Sequence, residues 1–240
     1  MRGLSAGELL AVWERGQGQP PEYQALLLLA AASSASLDAL AVLSIGQRDA
    51  CLLTLREWTF GAWLACVATC ACCRERLELE FSAADLRLPG AAEPDDQHRL
   101  ALDGYEITFR LPDSRDLAAL RDAASGPQTL LARCLLDIRR GDQAVALATL
   151  PPAVLAEVVA QMGRADPQAD VQLDLACPSC GHRWLAPFDI VAFFWREIEV
   201  WAGRTLRDVH TLASAYGWHE ADILALTPQR RQIYLELVRG

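Results

Sequence analysis

Apolar positions recur every three to four residues from the start of the chain. Leu9, Leu10, Val12 and Trp13 follow Ser5-Ala6-Gly7-Glu8, whose Ser-x-x-Glu spacing is that of a capping box. The hydroxyl and the carboxylate each satisfy an orphan backbone amide, so a first helix starts there. Gly16-Gln17-Gly18-Gln19-Pro20-Pro21 breaks it, and Pro21 suits the first turn of a second helix over residues 22–33, whose run of Leu and Ala predicts burial on most sides. Leu37, Leu40 and Ala41, then Cys51, Leu52, Leu55 and Trp58, give two further helices with a turn expected at Gly46. The second of these carries only Arg48-Asp49 and Arg56-Glu57 as charges, so it is expected mostly buried, with Arg48 and Asp49 as a capping or solvated pair.

The period then changes to two. Residues 77–81 alternate Leu and Glu as a half-buried strand does, and residues 105–110 alternate again. Between them a loop is expected over residues 89–97, rich in Pro, Gly and acidic residues. Helices are predicted over 116–124, 128–137 and, opened by Pro151-Pro152, up to Gly163. A strand over 171–175 precedes an apolar helix over 190–201 that Gly203 is expected to end. Leu206, Val209, Leu212 and Ala213 share one helical face, and after Tyr216-Gly217-Trp218 come helices over 220–226 and from Thr227-Pro228 to Val238.

Composition narrows the class. With 240 residues, 52% of them hydrophobic, the chain can bury a substantial core, and disorder is excluded. The net charge of −9 and pI near 4.9 argue against a protein that grips phosphate backbones, whose affinity comes from clustered Lys and Arg. The most apolar stretch, residues 25–32, is too short for the roughly 20 residues of a membrane-spanning helix, and residues 1–18 lack an export pattern. A cytoplasmic location, with no membrane partner, is the expectation.

Eight cysteines in a reducing compartment point to metal more than to disulfides. Cys70-Ala71-Cys72-Cys73 and Cys177-Pro178-Ser179-Cys180 each read Cys-x-x-Cys and run into a strand. Aligning them puts Arg76 opposite Arg183, Leu77 opposite Trp184 and Phe81 opposite Phe188. Such turns aim both sulfurs at one ion, so Cys70, Cys73, Cys177 and Cys180 form a candidate structural four-cysteine zinc site, with a folded insertion between its halves. Cys66 at a wider spacing, or Cys72, competes for the place of Cys70; alignment favours Cys70 and Cys73. Cys51 and Cys134 read as buried free thiols, and His182 as lying outside the ligand set. Arg74 stands where the second knuckle has Gly181, and the left-handed turn expected there is costlier without glycine.

Nothing points to catalysis. Four thiolates leave a metal no open position, and Pro178 lies inside the second knuckle, unlike the Pro-Cys-x-x-Cys of deaminases. Phosphate loops, Gly-x-Ser-x-Gly elbows and His-Glu-x-x-His helices are missing, while His98, His210 and His219 suit surface or packing roles. A non-enzyme is expected. The terminal helices could imitate a helix-turn-helix, but Arg230-Arg231 and Arg239 face Asp208, Glu220, Asp222 and Glu236, which disfavours nucleic acid. Tyr216, Trp218 and Tyr234 are expected in a core or at a protein-binding surface.

Leu43-Ser44-Ile45-Gly46-Gln47-Arg48-Asp49, Leu55-Arg56-Glu57, Phe60-Gly61 and the first knuckle form one set of motifs. Phe109-Arg110-Leu111-Pro112-Asp113-Ser114-Arg115-Asp116-Leu117, Tyr216-Gly217-Trp218 and Thr227-Pro228 form another. Together they resemble the T-even-phage-type baseplate hub assembly protein family of contractile phage tails and phage-tail-like injection systems, from about Leu37 to the C-terminus. The resemblance implies an assembly chaperone whose partners are baseplate hub or spike proteins. A permanent baseplate component and a zinc-ribbon nucleic-acid-binding regulator are the alternatives. The expected fold is α+β, mainly helical, with a small split zinc-ribbon-like β element joining the N- and C-terminal halves. Its regions are an N-terminal helical part (1–62), the first knuckle and strand (63–88), an inserted strand plus helices (89–170), the second knuckle and strands (171–189) and a C-terminal helical part (190–240).

Overall fold

The computed structural model describes residues 1–88, 97–122 and 126–239. Helix α1 (Ala6–Gly16) opens on the expected capping box, in which Glu8 N–H donates to Ser5 Oγ and Ser5 N–H to the Glu8 carboxylate. Helix α2 (Pro21–Ala32) buries Leu26, Leu27, Leu28 and Leu29, so it is apolar all round because neighbours cover it all round. Helix α3 (Leu37–Ala41) is short, and α4 (Ile45–Phe60) starts on a second capping box, Ser44 with Gln47. Gly46 therefore lies inside the first turn of α4 instead of between two helices. Its N–H donates to Asp166 Oδ2 at 2.9 Å, and a Cβ there would come within 1.9 Å of Asp166 Oδ1 and 2.9 Å of Ala169 N. Close approach of the chain, not a turn, is what demands glycine.

Strands β1 (Trp63–Thr69) and β2 (Arg76–Ser82) form an antiparallel hairpin with the first knuckle at its tip. The alternation of residues 77–81 predicted only its second arm. Trp63-Leu64-Ala65-Cys66-Val67-Ala68-Thr69 has no polar alternation, and pairing with β2 is what makes it a strand. The insertion carries a second sheet of order β3-β4-β5-β6, built from β3 (His98–Leu102), β4 (Tyr105–Phe109), β5 (Leu135–Arg140) and β6 (Gln143–Ala144). Between β4 and β5 lie α5 (Ser114–Asp122) and α6 (Pro127–Cys134). The helix expected over 128–137 thus ends at Cys134, because Ile138 pairs with Ile107 in the sheet. Residues 89–96 of the expected loop, and 123 and 124 of the expected helix, lie outside the described residues. Helix α7 (Pro152–Ala165) packs on this sheet and buries Val154 and Val158.

Strands β7 (Gln172–Ala176) and β8 (Arg183–Pro187) make the second knuckle hairpin. Helix α8 (Ile190–Tyr216) then runs 27 residues through Gly203 and stops at Gly217, whose left-handed φ of +68° favours a residue without Cβ. The apolar stripe Ile198, Ala202, Thr205, Val209 and Leu212 continues past Gly203, and its burial outweighs the roughly 1 kcal/mol that a glycine costs a helix. Helices α9 (Glu220–Ala225) and α10 (Pro228–Arg239) fold back on the second half of α8 around Leu212, Ile223 and Leu235. Beside them Tyr216 stacks on Trp218, and Tyr234 meets both rings edge to face.

The principal core joins α1, α2, α4 and the first half of α8, with Leu64 of β1 and Leu86. Each fully buried Leu there stabilises the fold by about 2 kcal/mol. The fold is α+β and mainly helical, and both knuckle hairpins project from the same core. Among the described residues, no helix is long and apolar enough to cross a membrane.

Candidate metal centre

The two hairpin tips meet. Sγ of Cys70 lies 3.7 Å from that of Cys180 and Sγ of Cys73 lies 3.5 Å from that of Cys177, and all four sulfurs fall within 4.8 Å of one another. A tetrahedron of sulfurs about 2.3 Å from a central ion has edges of about 3.8 Å, so the group is compatible with a metal site. Cys66 and Cys72 stand apart from this group, Cys66 within β1 and Cys72 exposed on the first turn. Cys134 is buried in the insertion, and Cys51 is half-buried in α4.

The two turns are built alike. Cys70 N–H donates to Glu75 O and Arg74 N–H to Cys70 O, while Cys177 N–H donates to His182 O and Gly181 N–H to Cys177 O, each at 2.9 Å. The residue closing each turn is left-handed, with φ of +62° at Arg74 and +73° at Gly181. The costlier conformation expected of Arg74 is the one it adopts. The pairs aligned in sequence hold equivalent places: Arg76 and Arg183 open β2 and β8, and the rings of Phe81 and Phe188 meet edge to face at 5.8 Å. His182 is half-buried and stacks on Trp184 instead of joining the sulfurs.

The thiols perturb one another in opposite directions. The backbone amide of Cys73, aided by that of Cys72, pushes the Cys70 thiol down to about 7. At Cys180 the amide of His182 also favours the thiolate, but the neighbouring thiols Cys73, Cys177 and Cys70 and desolvation outweigh it and push this thiol up to about 12. Four sulfurs this close cannot all carry negative charge unless a positive ion lies among them.

Behind the tips the first hairpin is anchored by an arginine to which the sequence reading gives no role. Arg56 is buried, donates from Nε and Nη2 to both carboxylate oxygens of Glu197 in α8, and from Nη1 to the carbonyls of Gly61 and Trp63, all at 2.6–2.8 Å. It ties the end of α4, the start of β1 and α8 together. The signal that marks it is a charge in a helix otherwise expected to be buried. Arg48 is likewise buried, against Asp49 at 2.7 Å, so the solvated pair expected there is an interior one. Burial pushes the Asp49 carboxyl up to about 6 against the opposing pull of Arg48.

Two of the motif stretches also meet. Ser44 bridges Asp113, Ile45 N–H donates to Pro112 O at 3.1 Å, and Arg48 Nη1 reaches Ser114 Oγ at 3.4 Å. Next to this seam Asp116 is fully buried. Burial opposes its charge, but Arg110 at 2.6 Å, the Asp113 backbone and Arg133 outweigh that and hold it down to about 2. The sequence model of the T4 bacteriophage base plate protein family matches residues 9–195, more than half of the chain. The chain belongs to this family. Membership places its role at the phage base plate and its association among base plate proteins. As a base plate family member it carries both knuckles, the inserted sheet and the Arg56 anchor within the matched part, whereas α9 and α10 lie beyond it. The match starts earlier and stops sooner than the motifs traced from Leu37 to the C-terminus. No curated protein and no solved structure matches the chain.

Proposed function

We propose that this base plate family member is a non-enzymatic, cytoplasmic assembly factor that holds hub or spike proteins of a contractile tail, and that its four-cysteine centre is a structural zinc site. The metal assignment rests on the cluster of four sulfurs, and the assembly reading on the family match and on the sequence resemblance. The donors are all soft, they would fill a four-coordinate shell, and they come from two hairpins 104 to 110 residues apart in the chain. Cys70, Cys73, Cys177 and Cys180 would hold the ion, and bound zinc supplies a crosslink between the hairpins and the positive charge that the thiolates lack. The hairpins then stand in a fixed relation to α8, which suits a protein that offers a shaped surface to partners.

The test has two parts. Elemental analysis of the purified chain should find one zinc, and finding none, with all four thiols titratable in the native state, overturns the metal assignment. Expressed with the rest of a tail gene cluster, the protein should copurify with hub or spike subunits and be missing from finished particles. Recovery in finished particles would make it a permanent component instead, and recovery of neither subunit would end the assembly reading.

A further inference from the structure

An open groove of about 1290 Å³ runs between β1 of the first hairpin, β8 of the second and the start of α8. Four consecutive β1 residues border it, Ala65, Cys66, Val67 and Ala68, so both faces of that strand and the edge between them look onto the opening. Among the described residues β1 pairs only with β2 and β8 only with β7, so each has one unpaired edge, and the four consecutive residues put that of β1 at the groove. The two edges differ. β8 ends in Pro187, which has no N–H to offer, whereas β1 contains neither a proline nor a charge over its seven residues, and Trp63 and Val67 on its outer face are 71% and 51% exposed. Edge strands that must stay unpaired usually carry a charge or a proline, and β1 has neither.

The floor is α8, with Phe193, Arg196, Glu197, Val200, Trp201 and Arg204, and Asp189 and Arg56 also line the groove. Glu197 is held by Arg56, so the charges left facing the opening from the middle of α8 are Arg196 and Arg204. Arg204 is exposed and forms no ion pair among the described residues, and Arg196, 77% exposed, meets only Glu199 at 3.2 Å, within a protein of net charge −9. We propose that this groove takes an extended segment of another base plate protein, which adds a strand to the free edge of β1. The segment would alternate apolar residues, set over Val200 and Trp201, with one or more carboxylates that meet Arg204 and Arg196. Strand addition gives affinity through the backbone and selectivity through alternate side chains. The small Ala65 and Ala68 leave room for bulky neighbours. A second copy of this chain is the poorer occupant, since it would bring the same arginines to the seam. The proposal rests on the assembly reading only for the partner being a base plate protein.

Overlapping 12-residue peptides that tile the hub, spike and other base plate proteins of the same tail cluster, each fluorescently labelled, are titrated with the full chain. The expected binders are apolar segments bearing Asp or Glu. Val67→Lys should weaken them by about tenfold or more, the equivalent of one lost anchor, and Arg204→Glu should weaken them less but flatten the salt dependence. Circular dichroism and zinc content unchanged from the parent show that the variants are folded. Three results each overturn the groove: no tiled peptide binding the parent, binding indifferent to both substitutions, or an ultracentrifuge dimer that Val67→Lys abolishes while peptides fail to compete. Copurification of hub or spike subunits that persists undiminished with Val67→Lys would likewise refute the groove while leaving the assembly reading intact.

Discussion

The two knuckles share one backbone but not one sequence. Both tips close with the same pair of hydrogen bonds and the same left-handed residue, yet Gly181 fills that place in the second and Arg74 in the first. For a residue with a Cβ the left-handed conformation costs roughly 1–2 kcal/mol, so the first knuckle is held in shape by something other than its own preference. Two things on that side can supply it: the sulfurs of the opposite tip, and Arg56, which fixes the base of β1 to α8. The second hairpin leads directly into α8 and, among the described residues, has no equivalent arginine at its base. One knuckle is shaped locally and the other by its surroundings.

The strongest way to break that comparison is to remove a ligand. Cys177→Ser should release the metal and, with the ion at about a thousandfold over its Kd, cost about 4 kcal/mol of stability. Cys72→Ser should leave metal content and stability unchanged. Elemental analysis and denaturant titration report both, and metal retained by Cys70→Ser but lost from Cys66→Ser would reassign the first half of the centre. Next in size, Arg56→Ala should lower stability by about 3 kcal/mol, because the partly buried Glu197 carboxylate and two backbone carbonyls lose their donor. Hydrogen exchange should then rise in β1 and β2 more than in β7 and β8, and equal loosening of both hairpins would remove the asymmetry.

Smaller effects sharpen the same contrast. Gly181→Ala should cost about 1 kcal/mol and Arg74→Gly should gain about as much, since each moves its knuckle toward the other's composition. Urea midpoints would show it, and a loss on Arg74→Gly would mean that the side chain has a role the backbone argument misses. Smallest of all is Gly203→Ala, at a glycine with ordinary helical surroundings and no atom within 4 Å of where its Cβ would lie. A gain of up to about 1 kcal/mol in thermal unfolding is expected there, in contrast to the loss at Gly181.

Local chemistry was legible wherever neighbours in sequence are neighbours in space. The capping box at Ser5, the prolines that open α2 and α7, and the equivalence of the knuckles down to Phe81 and Phe188 could all be read from the chain, whereas the stretch holding the capping box at Ser44 reads as a turn. What escaped were segments whose state is set by a distant partner. β1 has no alternation of its own, Leu135 and Leu136 follow a helical run into a sheet, and Gly203 looks like a stop inside a helix that packing carries through. Arg56 carries no assigned role in the sequence, and only the position of Glu197, 141 residues on, makes it an anchor.

The chain by itself determined that cysteines at 70, 73, 177 and 180 should act together, because a Cys-x-x-Cys turn has one strongly favoured use for its two sulfurs. It also determined a mainly helical α+β fold, because the 3.6-residue period dominates its apolar positions. Only the tertiary structure decided that Arg74 accepts a left-handed turn, that glycine at 46 makes room for Asp166 and Ala169, and that the hairpins flank a groove with one unprotected edge. The physical reason is common to all three. Strain, close approach and exposure are relations between segments more than a hundred residues apart, and no local pattern encodes them.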